Sequence, residues 1–178
     1  MARRTKSVPV PAPDTLTDPV DWARHYWEKQ NLDGDEQRFL AMSSLLRFQR
    51  VLVDTVEPEL RVLGLNMTDY LLLMTLQLSD TGTRLISTLA RTLMVHATTA
   101  TLAIDRLEAK ELLYRSPHPT DRRATCVTIS EQGREVAHKA TIALGTVDFG
   151  LPATPAELKR LMSLLSSLRS AAGDTRAV

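Results

Sequence analysis

Apolar residues recur at helical spacing near both ends of this 178-residue chain, and in shorter, mixed rhythms between them. Asp18-Pro19 opens a short helix, a carboxylate at the N-cap followed by proline in the first turn. Val20, Ala23, Tyr26 and Trp27 share one face, with Trp22 to the side, and Leu32-Asp33-Gly34-Asp35 breaks the pattern. A long helix is predicted from about Glu36, with Phe39, Met42, Leu45, Leu46, Gln49, Leu52 and Val56 near one stripe. Pro58 is expected to end or kink it, because proline removes one hydrogen bond and clashes with the preceding turn. Towards the other end, Ser130 caps a helix over Glu131 to Val147. Thr154-Pro155-Ala156-Glu157 then combines a capping box with proline at the first helical position. Leu158, Leu161, Met162, Leu165 and Leu168 form its apolar stripe, and Gly173 stops it.

Between Leu60 and Ile129 the elements shorten. Leu65 to Leu78 reads as a helix with Thr68 as its N-cap, Asp80-Thr81-Gly82 as a turn, and Thr83 to Leu85 as a brief strand. Two helices, Ser87 to Leu93 and Ala97 to Lys110, precede β-rich runs at Leu112 to Ser116 and Ala124 to Ile129. The intervening Pro117 to Arg123 reads as a hairpin loop, since Pro117 and Pro119 donate nothing to a sheet. Two short helices joined by a tight turn and followed by a hairpin describe a winged helix-turn-helix. Its second helix fits the DNA major groove, about 12 Å wide. On that helix Val95, Ala100, Ala103, Ile104 and Leu107 are assigned to the core. Thr98, Thr99, Thr101 and Leu102 fall on or near the outer face.

Composition narrows the alternatives. At 43% apolar and 24% charged the chain is of ordinary globular type, and one cysteine excludes both a disulfide framework and a cysteine-rich zinc module. The formal charge of +1 announces no nucleic-acid partner, but it averages unlike regions. From Arg84 to Arg123 seven basic residues face four acidic ones, a local net of +3. Residues 1–17 carry Arg3, Arg4 and Lys6 and then prolines at 9, 11 and 13, and read as a flexible tail able to brush a phosphate backbone. That stretch lacks the apolar region of a secretory signal, and no run of 18 apolar residues occurs, so a cytoplasmic protein without a membrane partner is expected.

Asp105-Arg106-Leu107-Glu108, Leu113-Tyr114-Arg115, Pro119-Thr120-Asp121-Arg122-Arg123 and Thr128-Ile129-Ser130-Glu131-Gln132-Gly133 follow one another without insertion. Over about residues 36 to 172 the chain resembles the MarR family, whose pattern is a D-R-L-E run, a strand ending in Arg, a D-x-R wing and an L-T-x-x-G junction. The resemblance implies a mostly α fold: a winged helix-turn-helix with a small β-hairpin wing, flanked by N- and C-terminal dimerisation helices. It implies a homodimeric, small-molecule-responsive transcription regulator, usually a repressor, on a pseudo-palindromic double-stranded DNA operator. Residues 18–62 would then hold the dimerisation helices and ligand pocket, 63–129 the DNA-binding domain, and 130–178 further dimerisation helices. His96, Thr98, Thr99, Thr101, Leu102 and Arg106 would lie along the recognition helix. Arg123 would enter the minor groove, oriented by Asp121 through a charge-assisted bond, with Arg122 near phosphate.

Some positions depart from the family pattern. Leu102 stands where an Arg is frequent, His96 replaces a Ser or Thr and is a poorer N-cap, and Glu111 replaces a frequent Gly. The added N-terminal helix with Trp22 and Trp27 resembles a subgroup that includes urate-responsive members. Leu71 and Leu78 occupy the positions of that subgroup's Asp and Arg, which points instead to a larger or more apolar effector near Leu71, Leu72 and Met74. His25, Trp27, Arg47 and Tyr70 are the candidates for lining its site. Simple packing of the two tryptophans is the competing reading.

No enzymatic chemistry is legible. The chain has no Gly-rich phosphate loop and no G-x-S-x-G elbow, and His25, His96, His118 and His138 show no metal-ligand spacing. Cys126 falls on the second wing strand, where a small buried residue is ordinary; no cofactor is expected. A reading from a different class is a protein-interaction or small-molecule-sequestering module on a winged-helix scaffold, without specific DNA binding.

Overall fold

The computed structural model describes residues 18–121 and 123–174. The expected N-terminal tail and Arg122 lie outside the described residues. The chain divides into two compact units, one ending at Arg50 and the other beginning at Val51. In the first, α1 (Pro19–Lys29) starts where predicted, with Asp18 accepting the Val20 N–H at 2.7 Å. Helix α2 (Glu36–Val62) begins in this unit, and Asp35 accepts the Arg38 N–H at 3.0 Å. Leu40 is buried, whereas Phe39, Met42, Leu45 and Leu46 are exposed. Pro58 does not end α2, which continues to Val62.

The second unit holds the core. Helix α3 (Met67–Gln77) is capped by Asn66, not Thr68: the Asn66 side chain accepts the Asp69 N–H at 2.9 Å and Asp69 accepts the Asn66 N–H at 3.3 Å. This reciprocal pairing satisfies two amides that a threonine two positions on leaves orphaned. Strand β1 (Thr83–Leu85) leads into α4 (Ile86–Thr92), and α5 (Ala97–Glu108) follows a tight turn. Strands β2 (Leu113–Pro117) and β3 (Thr125–Ile129) complete an antiparallel sheet in the order β1-β3-β2. The brief strand thus extends the wing hairpin. Pro117 belongs to β2, opposite Thr125, not to the loop; β2 is an edge, so its missing N–H breaks no ladder on the open side. Leu72, Leu73 and Leu76 of α3, Ile104 and Leu107 of α5 and Val127 of β3 are fully buried together. Each such side chain contributes about 1.5–3 kcal/mol by leaving water.

Helix α6 (Glu131–Gly145) is capped by Ser130, which accepts the Gly133 N–H at 3.0 Å. A short 3-10 turn, Asp148–Gly150, leads to α7 (Pro155–Ala171), which buries none of its residues and leaves Met162, Leu164 and Leu168 exposed. The capping box of α7 forms as read. Glu157 accepts the Thr154 hydroxyl at 2.7 Å and the Thr154 N–H at 2.8 Å. The first bond and then the second hold its carboxyl below the ordinary 4.5. A group whose folded pKa is lowered adds stability above its unfolded value and loses it as pH falls through the folded one. The difference in Tm between the parent and Glu157→Gln is therefore expected to be small at pH 7, to shrink below 4.5 and to vanish once pH has fallen through the lowered folded value. A Tm difference unchanged by acid would count against it.

Candidate nucleic-acid interface

The α4–turn–α5 pair is seated on the core by Leu89 and Ala90 on one side and by Ala100, Ala103, Ile104 and Leu107 on the other. The turn closes with Val95 N–H donating to Ala90 O at 3.1 Å and with Met94 in the left-handed region, φ 52°. His96 caps α5 despite its imidazole: Nδ1 accepts the Thr98 N–H at 3.3 Å. With its buried stripe turned inwards, α5 presents Thr98, Thr99, Thr101 and Leu102 outwards, as the periodicity requires.

Three ion pairs set the pose of this helix. Arg106 Nη2 lies 2.7 Å from Asp69 Oδ1, and the Asp69 side chain is only 3% exposed. The guanidinium assigned to DNA from sequence is thus held against the first turn of α3. At the other side Arg115 of β2 lies 2.5 Å from Asp105 and also pairs with Glu108, whose Oε1 accepts the Arg115 N–H at 2.9 Å. Burial opposes the Arg115 charge, but the bonds and charges of Asp105 and Glu108 outweigh it and raise its pKa. The root of the wing is thereby tied to the recognition helix. Sequence reading missed Asp69 and Arg115 in these roles; the Asn66-x-x-Asp69 spacing signals the cap of α3 but not the pairing of Asp69 with Arg106.

The wing loop is organised by local bonds. His118 Nδ1 accepts the Asp121 N–H at 3.1 Å, and Asp121 Oδ1 accepts the backbone N–H of Arg123 at 2.9 Å. Asp121 thus fixes the Arg123 backbone; the expected bond to the guanidinium is replaced by an Asx-type turn. Arg123 is exposed, and it lines one shallow depression with Leu85, Ser87 and Ala97, the first residue of α5. Wing tip and recognition-helix start therefore share one surface. Glu111 takes the left-handed conformation usually given to Gly, φ 59°, and Leu112 N–H closes the turn on Leu107 O at 3.0 Å.

The proposed effector-lining residues divide between the units. In the first, Trp27 stacks on Phe39 with ring centres 5.1 Å apart, and an apolar depression runs along Trp22, Tyr26, Trp27, Leu32 and Phe39. His25 meets the Tyr26 ring edge-on at 5.0 Å, and Arg47 is exposed on α2. In the second, Tyr70 is buried with its hydroxyl 3.1 Å from Thr141 Oγ1 of α6, and Leu72 lies in the core while Leu71 is exposed. Cys126 is half-buried on β3. Among the described residues no group of His, Cys, Asp and Glu is arranged to hold a metal, and no helix is long and apolar enough to cross a membrane.

A recognition helix braced from α3 and β2, with a three-stranded wing beside it, defines a winged helix-turn-helix protein. The family model described as MarR family matches residues 65–125. The HTH-type transcriptional regulator MhqR of Bacillus subtilis (strain 168) is 30% identical over 122 residues, 68% of this chain and 76% of MhqR. The chain belongs to the MarR family, whose members are transcriptional regulators and not enzymes. Among solved structures, the MarR family regulator Sco5413 from Streptomyces coelicolor is 34% identical, with a TM-score of 0.73 over 79% of this chain and 99% of that one. Sco3205 from the same organism, solved in complex with DNA, is 21% identical with a TM-score of 0.70, over 79% and 90% of the two chains, and shows the shared fold.

Proposed function

We propose that this protein is a homodimeric, small-molecule-responsive repressor that binds a pseudo-palindromic operator, with α5 in the major groove and Arg123 in the minor groove. The observation that carries the reading is the common surface of the α5 start and Arg123, within a segment whose net charge is +3. Phosphate contacts from such a segment position the protein, and the side chains of α5 meet base edges. Residues 63–129 act as the DNA-binding domain. Residues 18–62 and 130–178 supply the dimer, supported by the apolar side chains that α2 and α7 leave uncovered in one chain. Sco3205 was solved with DNA and the MarR protein of E. coli with operator DNA, while DNA binding by BpsR of Bordetella bronchiseptica is regulated by 6-hydroxynicotinic acid. A small aromatic or apolar effector fits the aromatic lining beside Trp27. A cytoplasmic location follows from an operator as target.

Selection from random duplex DNA is expected to enrich a palindrome, bound by a dimer in sedimentation and weakening steeply with salt. Arg123→Ala should weaken binding by about 1–3 kcal/mol if its guanidinium reads a groove. A selection that enriches nothing, or an Arg123→Ala variant of unaltered affinity and specificity, defeats the reading.

A further inference from the structure

Around Leu102 the outer face of α5 is short of free hydrogen-bond donors. Its one cation, Arg106, is held against buried Asp69 at 2.7 Å. Thr101 donates its hydroxyl to Ala97 O at 3.0 Å. Thr98 Oγ1 lies 3.1 Å from His96 Nδ1, and because that nitrogen already accepts the Thr98 N–H, the hydroxyl is the donor of the pair. Both protons are committed inside the helix. Leu102, one turn on from Thr98, stands 53% exposed, and Asp105, one turn on from Thr101, is bonded to Arg115 at 2.5 Å.

Base edges in the major groove differ in what they ask of such a surface. Guanine presents two acceptors, N7 and O6, and is best met by a bidentate Arg or Lys. Thymine presents a C5-methyl group that makes apolar contact, and its partner adenine presents an N6 donor. The threonine oxygens, their protons engaged, retain lone pairs for that donor. Resting on the DNA-binding reading above, we infer that α5 selects T·A pairs by the thymine methyl, with Leu102 as the principal contact and Thr98 and Thr101 beside it. Specificity at the pairs beneath Leu102 is apolar, and guanine is disfavoured there because Leu102 donates nothing and the Thr98 and Thr101 protons are already engaged.

The test uses the full chain and the palindrome it selects from random duplex DNA. Thymines are expected under α5 in each half-site, at the pairs where selection with Leu102→Arg substitutes guanine. Replacing each of those thymines by uracil removes only the methyl group and should weaken binding about fourfold, the worth of one buried methyl-sized group. Leu102→Ala should narrow that thymine-over-uracil ratio. Equal affinity for the thymine and uracil duplexes, or guanine selected there by the parent protein, overturns methyl reading while operator binding stands. Failure to enrich any sequence overturns operator binding and this inference together.

Discussion

Arg106→Met is expected to lower the stability of the protein by about 3 kcal/mol, the scale for stripping the partner from a buried charge. The half-exposed guanidinium contributes little by itself. The loss comes from Asp69, whose side chain is 3% exposed and would keep only the Asn66 N–H at 3.3 Å. An ionised carboxylate in that position cannot be rehydrated without opening the contact between α3 and α5. Adding Asp69→Asn should return a good part of the stability, because the amide carries no charge and can still cap α3 from within. Urea unfolding of the parent, the two single variants and the double variant measures the coupling. Were Arg106 chiefly a phosphate contact, Arg106→Met would unfold at the parental midpoint and show only a shallower salt dependence of DNA binding. The charges are also well placed: Asp69 in the first turn of α3 and Arg106 in the last turn of α5 each oppose the helix partial charge at their end.

The same pair shows where sequence reading stops. Periodicity placed Arg106 off the buried stripe of α5, and it is indeed partly exposed, but which acid lies across from it depends on how α3 crosses beneath. That is a tertiary fact, the partners standing 37 positions apart in the chain. Local chemistry was more legible. Ser130 and Thr154 cap their helices as read, and the two β-rich runs of the wing form strands. His96 was underrated as a cap because imidazole is rarely used that way, yet the extended backbone at φ −63°, ψ 146° puts Nδ1 within reach of the Thr98 N–H. The stripe Phe39, Met42, Leu45 and Leu46 follows helical spacing and is exposed in the single chain. An apolar period tells that a helix face favours cover, and is silent on whether the cover belongs to the same polypeptide.

Gly133→Ala should be the most damaging of the glycine-to-alanine changes, at about 3 kcal/mol or more, the upper range for forcing atoms into a packed site. Its backbone is ordinary helix, so the requirement for glycine is one of space. A Cβ at this position would run into the carbonyl oxygen of Leu112 and come within 2.9 Å of both the Leu112 carbonyl carbon and Ile129 Cγ1. None of these can simply turn aside. Leu112 O accepts the Ser130 N–H at 3.1 Å, the Leu112 N–H is bonded to Leu107 O at 3.0 Å, and Ser130 Oγ donates to Glu111 O at 2.7 Å. Relief would have to come from sliding α6 away from the end of α5 and the start of β2, which would open the core around Ile129 and Ala137. Gly145 on the same helix is the control. A Cβ there meets nothing within 4 Å and its backbone is not left-handed, so Gly145→Ala should be neutral or stabilise by up to about 1 kcal/mol through the unfolded chain. Urea midpoints of the two variants separate close approach from helix propensity. If Gly133→Ala matched Gly145→Ala in stability, the junction between wing and α6 would be looser than its hydrogen bonds require, and the wing's fixed position beside α5 would need another cause.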